Sequence, residues 1–359
     1  MNRLAEHLRR LIAVDGPIPV SRFMAEALGH PEHGYYQRRD PLGADGDFVT
    51  APEVSQMFGE LVGLWCAETW RQMGAPRRVV LAELGPGRGT LMADALRAIR
   101  VLPAFVDAVE VHLVETSPAL RAVQAERLAG HDVSWHERVE TLPAAPLLAL
   151  ANEFFDALPV RQFVRRETGW HERLVAADGD GFAFVLAPDP VPCSLLPPGA
   201  ADAPQGGTLE LAPAREALLG QLADRLAADG GAALIVDYGH DGGYGDTLQA
   251  VRRHAYADVL DAPGTADLTV HVDFAALRRA AEAAGARAWG PIGQGDFLTR
   301  LGIEARAAKL TANATPEAAR AVDEALQRLV CPTAMGGLFK AFAVTAPELP
   351  APAGFEASA

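Results

Sequence analysis

Apolar positions along this chain follow two different periods. Leu4, Leu8, Leu11 and Ile12 recur at helical spacing, and helical patterns return over Val20–Leu28 and Val54–Met73, so helices are predicted over Arg3–Val14 and those two stretches. The intervening Gly29–Pro52 is rich in Gly, Asp and Pro and predicts a loop. From Arg78 the pattern changes to short, largely apolar runs separated by amphipathic stretches. These are Val79–Leu84 with a helix to residue 100, Val109–Glu115 with a helix to residue 129, and Leu147–Ala151. Largely apolar runs alternating with helices indicate parallel strands covered on both faces.

Residues 160–186 interrupt that rhythm. The short pieces Val160–Arg165, Glu172–Ala176 and Phe182–Leu186, set between turn residues, predict an antiparallel insertion, and a Pro-rich loop follows over Ala187–Gly207. The earlier rhythm resumes with a helix at Pro213–Ala228, a strand at Ala232–Asp237 and a long loop reaching Val272. A helix at Asp273–Ala284, further helical sequence to Leu329 and a last strand near Leu338–Val344 complete it. The predicted organisation is a helical region with a lid loop (1–75), the first half of a Rossmann-like α/β domain (76–159), a β insertion with its Pro-rich loop (160–207), the second half with a helical insertion (208–346), and a tail expected to be disordered (347–359).

Composition narrows the partners. With 359 residues and 49% hydrophobic content the chain can bury a sizeable core. No run approaches the ~20 apolar residues of a membrane span. A net charge of −14 argues against binding along a phosphate backbone and favours a basic partner segment. Cys66, Cys193 and Cys331 are far apart and odd in number, which excludes a CxxC knuckle and suits a reducing compartment. Neither the cysteines nor the histidines show metal-ligand spacing, so no metal is expected. The chain opens directly on an amphipathic helix without a signal-type core, and a bacterial cytoplasmic location is expected.

The first apolar run leads into Glu83-Leu84-Gly85-Pro86-Gly87-Arg88-Gly89. Glycines after a buried strand let the backbone turn tightly and approach a nucleotide, while the next helix points free N–H groups at it. The dinucleotide fingerprint would need glycine at position 90, which is Thr90, and no P-loop GK[ST] follows. The spacing E-x-G-x-G-x-G resembles the first motif of class I methyltransferases, which implies S-adenosylmethionine as cofactor and Glu83, Gly85, Gly87 and Gly89 as its contacts. Glu115 ends the second run, where a carboxylate can accept both ribose hydroxyls, with Thr116 beside it. Ser117 and Pro118 read as the N-cap and first residue of the next helix.

After the run Leu147–Ala151 comes Asn152-Glu153-Phe154-Phe155-Asp156-Ala157-Leu158-Pro159, at the sheet edge where open α/β folds bind ligands. Unpaired acids avoid burial, so Glu153 and Asp156 are candidate functional residues, with helix capping as the plain alternative. Asn152 is a candidate cofactor contact and Phe155 a candidate substrate contact.

Taken in order, His30-Pro31-Glu32-His33-Gly34-Tyr35-Tyr36, the stretch from Asp47 to Glu60, the glycine turn, Asn152–Pro159, Asp237-Tyr238-Gly239-His240 and Pro263–Thr269 resemble the MidA-type methyltransferases across roughly residues 15–345. This is the family of the mitochondrial complex I assembly factor that methylates an arginine of the 49-kilodalton subunit. The resemblance implies a class I methyltransferase fold, S-adenosylmethionine as cofactor and a protein-arginine substrate converted to symmetric dimethylarginine.

Methyl transfer from a sulfonium is an in-line displacement, for which the protein supplies alignment and electrostatics. A guanidinium with a pKa above about 12 has no free lone pair, so carboxylates must orient it and favour proton loss. Glu153 and Asp156 are the candidates, and His240 a candidate proton acceptor. Asp47, Thr50, Glu53 and Gln56 are candidates to close over the methionine end of the cofactor, with Glu53 also a candidate substrate contact, while Pro52 and Glu53 equally suit an ordinary helix N-terminus. Tyr238, after the strand Ala232–Asp237, is another. Methylation of a small molecule or another side chain, or a cofactor-binding assembly chaperone, are the competing readings; the oligomeric state is left open, a dimer included.

Overall fold

The computed structural model describes residues 2–38 and 50–356. Chain contacts divide it into two units. One takes the chain's start through residue 38 together with Asp156–Glu216 and Gly242–His271; the other takes residues 50–155, Ala217–Asp241 and 272–356. The expected helical region 1–75 is thus shared: its first two helices belong with the β insertion, and the helices from residue 51 onward with the α/β sheet.

The second unit is built on β1 (Val79–Leu84), β2 (Val109–Val114), β3 (Val133–His136), β4 (Leu147–Asn152), β5 (Gly231–His240), β6 (Arg287–Gly293) and β7 (Phe339–Thr345). Their order across the sheet is β6-β7-β5-β4-β1-β2-β3. The five strands from β1 to β5 run parallel, and β7 pairs antiparallel with both β5 and β6. Every residue of β1 is buried, the expected state of a central strand covered on both faces. Val79, Leu81, Leu148 and Leu150 join Phe58, Trp65, Leu91 and Phe297 in a core on one face. Alternation sends Val80 and Ala82 to the other face. Phe342 of β7, with odd-numbered Ala341 and Ala343 on the first face, also points there and meets Phe274 at 5.7 Å between ring centroids.

β3 and β6 are strands that the apolar pattern did not predict. β3 is the half-exposed edge Val-Ser-Trp-His, and β6 is broken by Gly290-Pro291 and a register shift between Trp289 and Ile292. Residues 347–356, expected to be disordered, lie against the same core. Trp65 Nε1 donates to Ala353 O at 3.1 Å, and the Phe355 ring lies 5.3 Å from Phe297.

The first unit carries the predicted antiparallel insertion, with strands Arg161–Arg166, Gly169–Asp178 and Gly181–Leu186. Two further pieces, Thr208–Leu211 and Ile18–Pro19, complete its sheet. Helices Arg3–Asp15 and Val20–Gly29 bury Leu4, Leu8, Ile12, Phe23 and Met24 in a core with Val160, Val175, Leu268 and Val270. The expected long loop to Val272 contains a small sheet in which Gln249–Arg252 pairs with Ala255–Ala257 and Asp267–Thr269. No helix among the described residues is long and apolar enough to cross a membrane.

Candidate active site

β1 through β3 step away to one side and β4 and β5 to the other, so the C-terminal ends of β1 and β4 form the switch point where ligands bind in such sheets. The glycine turn leaves β1 there. Gly85 and Gly87 have φ of 59° and 53°, in the left-handed region. A Cβ on Gly85 would also stand 2.6 Å from the Phe154 ring. Gly87→Val is expected to abolish cofactor binding, because a β-branched residue resists left-handed φ and its branches enter the cradle. Calorimetry on the folded variant checks this; near-normal affinity for S-adenosylhomocysteine would displace the site from the turn.

Glu83 caps what the glycines cannot. The helix Thr90–Ile99 starts from Gly89, which has no side chain to offer, and the Glu83 carboxylate accepts the Met92 N–H instead. Burial pushes the Glu83 carboxyl up to about 8, against that one hydrogen bond pulling it down. The unfolded value lies near about 4.3. The folded protein therefore keeps a proton that the unfolded chain releases, and stability present below the lower value is lost as pH rises through the upper one. Urea unfolding of the ligand-free protein is expected to weaken from about pH 5 to about pH 8, by at most about 1.4 kcal/mol per pH unit from this group, and Glu83→Gln to flatten that slope. Equal slopes in the two proteins would refute a buried, protonated Glu83.

At the end of β2, Glu115 is buried with its own donors. Ser117 N–H donates to Oε1 at 2.8 Å and Gln124 Nε2 to Oε2 at 3.3 Å. Burial raises this carboxyl, and the Ser117 and Gln124 hydrogen bonds pull it back. Thr116 is exposed beside it. Sequence reasoning passed over Gln124, which is fully buried and also donates to Gly87 O at 2.7 Å.

Beyond β4, Glu153 has a φ of 50°, a left-handed conformation unusual for a non-glycine residue. Its N–H donates to Val236 O, and its Oε1 accepts Ala51 N–H at 3.0 Å and Asn152 Nδ2 at 3.1 Å. Glu53 Oε1 accepts Thr90 Oγ1 in a short hydrogen bond. The segment Thr50–Glu53 is thereby tied both to the β4 loop and to the helix after the glycine turn. Thr50 is half-buried at the N-cap of Ala51–Val54, Gln56 is exposed at the start of Gln56–Gln72, and Asp47 lies outside the described residues.

Asp237 is fully buried at the end of β5, with Oδ2 accepting the N–H groups of Phe154 and Phe155 at 3.2 and 3.0 Å and Oδ1 that of Tyr238 at 2.9 Å. It fixes the loop after β4. Phe155, expected to contact substrate, is fully buried and packs edge-on against Phe154. Its place is therefore in the packing of the loop. Tyr238, expected likewise, is half-buried with its ring 5.4 Å from Phe339. His240 is half-buried and its Nδ1 has no hydrogen-bond partner.

Asp156 is buried in the first unit. Its backbone carbonyl accepts Arg215 at 3.0 Å and Val270 N–H at 3.1 Å, and Tyr36 OH nearby donates to Asp267 at 2.8 Å. Burial first, then the charges of Asp267 and Asp156, hold the Tyr36 phenol well above its usual range.

Among the described residues His7, Glu26 and His30 have the composition of a metal site, with ligand atoms within 4.8 Å of one another. Two features oppose that use. His30 Nδ1 accepts the N–H groups of Glu32 and His33, which leaves the proton of the neutral ring on Nε2, and Arg22 already neutralises Glu26 at 2.7 Å.

A switch-point glycine turn, an acid at the end of the neighbouring strand and this strand order together define a class I methyltransferase. A family model of S-adenosyl-L-methionine-dependent methyltransferases matches residues 61–292, and the chain belongs to that family. It is 41% identical to the mitochondrial protein arginine methyltransferase NDUFAF7 homolog of Drosophila melanogaster, over 95% of this chain and 84% of that protein. To mitochondrial NDUFAF7 of Danio rerio it is 39% identical, over 95% and 86%. A superfamily member from Burkholderia thailandensis, with a crystal structure bound to S-adenosyl-homocysteine, matches with a TM-score of 0.82 at 30% identity, covering 99% of this chain and 93% of that one. These curated relatives are mitochondrial, which overturns the expected bacterial cytoplasmic location.

The residues at the switch point fit the cofactor. Glu83 Oε2 and Asn152 Oδ1 are buried acceptors without a partner, on adjacent strands. By alternation they share the face of Leu81 and Leu150. The methionine end of S-adenosylmethionine carries an ammonium donor, the group such acceptors lack.

Proposed function

We propose that this methyltransferase modifies an arginine of a respiratory complex I subunit of the 49-kilodalton type, forming symmetric dimethylarginine and aiding assembly. The observation carrying this reading is the near full-length similarity to relatives named as protein arginine methyltransferases. The family resemblance supplies the subunit and the product.

The cofactor supplies an electrophilic methyl group. Glu83, Asn152 and the turn Gly85–Gly89 hold it, with Thr50 and Gln56 beside its methionine end and Glu115 and Thr116 beside its ribose. Glu153 and Asp156 each present a carboxylate to the substrate guanidinium, with Glu53 as a further acidic contact. Pairing with a carboxylate orients one nitrogen and favours departure of its proton. His240 Nδ1, buried and unpartnered, is proposed as the proton acceptor.

Mass spectrometry of the 49-kilodalton-type subunit from cells with and without this gene tests the proposal. Loss of one dimethylarginine is expected. An unaltered subunit alongside failed assembly would instead identify an assembly chaperone.

A further inference from the structure

The side chain of Gln124 lies in the middle of helix Pro118–Arg127, where a polar residue ordinarily faces water; here it is fully buried. Its amide joins three strands of the sheet. Nε2 donates to Gly87 O at 2.7 Å, in the turn after β1, and to Glu115 Oε2 at 3.3 Å, at the end of β2. Oε1 accepts the indole N–H of Trp135, on β3, at 2.9 Å. Both amide hydrogens and the carbonyl are used, so the amide has one orientation that satisfies all three partners.

We propose that Gln124 is the positioning residue of the cofactor's adenosine end, locking the glycine turn and the Glu115 carboxylate into one fixed relation. The proposal rests on Glu115 as the acceptor of the ribose hydroxyls. A carboxylate that must receive two hydroxyls has to keep its lone pairs aimed at them, and its neighbours decide where they point. Ser117 N–H fixes one oxygen and Gln124 the other. Because the same amide grips Gly87 O, the backbone that approaches the nucleotide and the carboxylate that reads its sugar move together. Trp135 keeps the amide from rotating away. Burial alone would favour a protonated Glu115, and the Gln124 donor works in the opposite direction.

Gln124→Met keeps length and volume but removes both donors. Its affinity for S-adenosylhomocysteine, measured by calorimetry, is expected to fall about 10–100-fold, the range for a hydrogen bond to a charged group. The deciding measurement repeats the titration with the 2′-deoxy analogue. Wild type is expected to bind the analogue more weakly than the parent, and Gln124→Met to lose most of that difference, because hydroxyl and amide act through one carboxylate. An analogue penalty undiminished in Gln124→Met would overturn the proposal while leaving Glu115 as ribose acceptor. A wild-type protein indifferent to the hydroxyl would overturn both. Should Gln124→Met not fold, Trp135→Phe frees the amide without removing it and is expected to shrink the same penalty in part; an unchanged penalty there also overturns the proposal.

Discussion

Glu153→Gln is expected to bind S-adenosylhomocysteine about as well as wild type while losing about 10²–10³ in the rate of methyl transfer. The amide oxygen can still accept Ala51 N–H, so the tie between the β4 loop and residue 51 survives the exchange. The backbone bond from Glu153 N–H to Val236 O is untouched, and with it the left-handed conformation. The exchange removes the charge, and charge is what orients a guanidinium and eases its proton away. Asp156→Asn is expected to act the same way, since Arg215 and Val270 hold its backbone carbonyl, which the exchange leaves alone. Single-turnover assays on the purified proteins separate binding from transfer. Wild-type rates with intact stability would return both acids to structural roles and leave Glu53 as the acid to test next.

Asp237→Ala is expected to cost stability more than any other exchange considered, at least about 3 kcal/mol by urea unfolding. Three backbone N–H groups end on this one buried carboxylate, and its loss strands all three. Asp237→Asn retains an acceptor and should fall between Ala and wild type. A loss below about 1 kcal/mol for Ala would show that the loop after β4 holds its shape by packing alone. Because that loop carries Glu153, the two predictions are coupled: Asp237→Ala should also lower transfer, through a displaced carboxylate.

Strands inside the sheet announced themselves as short, largely apolar runs, so β1, β2, β4, β5 and β7 were legible, the first of them to the residue. β3 was not, because an edge strand with exposed Ser134 and half-exposed His136 has no apolar run to show. Arg287–Gly293 hid for another reason: Gly290-Pro291 breaks its pattern, and the partner that makes it a strand is some fifty residues on. The positions of the glycine turn, Glu115 and the acids after β4 at strand ends were legible because polar residues closing an apolar run stand out against their neighbours. Asp237 stood out equally, yet its carboxylate is spent on backbone amides, which no local pattern discloses. Gln124 is the reverse case. A glutamine within an amphipathic helix reads as surface, and only three contacts made by distant segments give it a role.

The position of β7 has a consequence for synthesis. It is the last strand among the described residues, yet it lies inside the sheet, between β5 and β6. Until residues Phe339–Thr345 leave the ribosome, β5 presents an open, apolar edge and β6 has no neighbour to pair with. A nascent chain can assemble β1 through β5 as it emerges, but sheet closure must wait for the carboxyl-terminal segment. A chain that ends after β5 but before Phe339 therefore leaves a species whose exposed edge invites pairing with other chains.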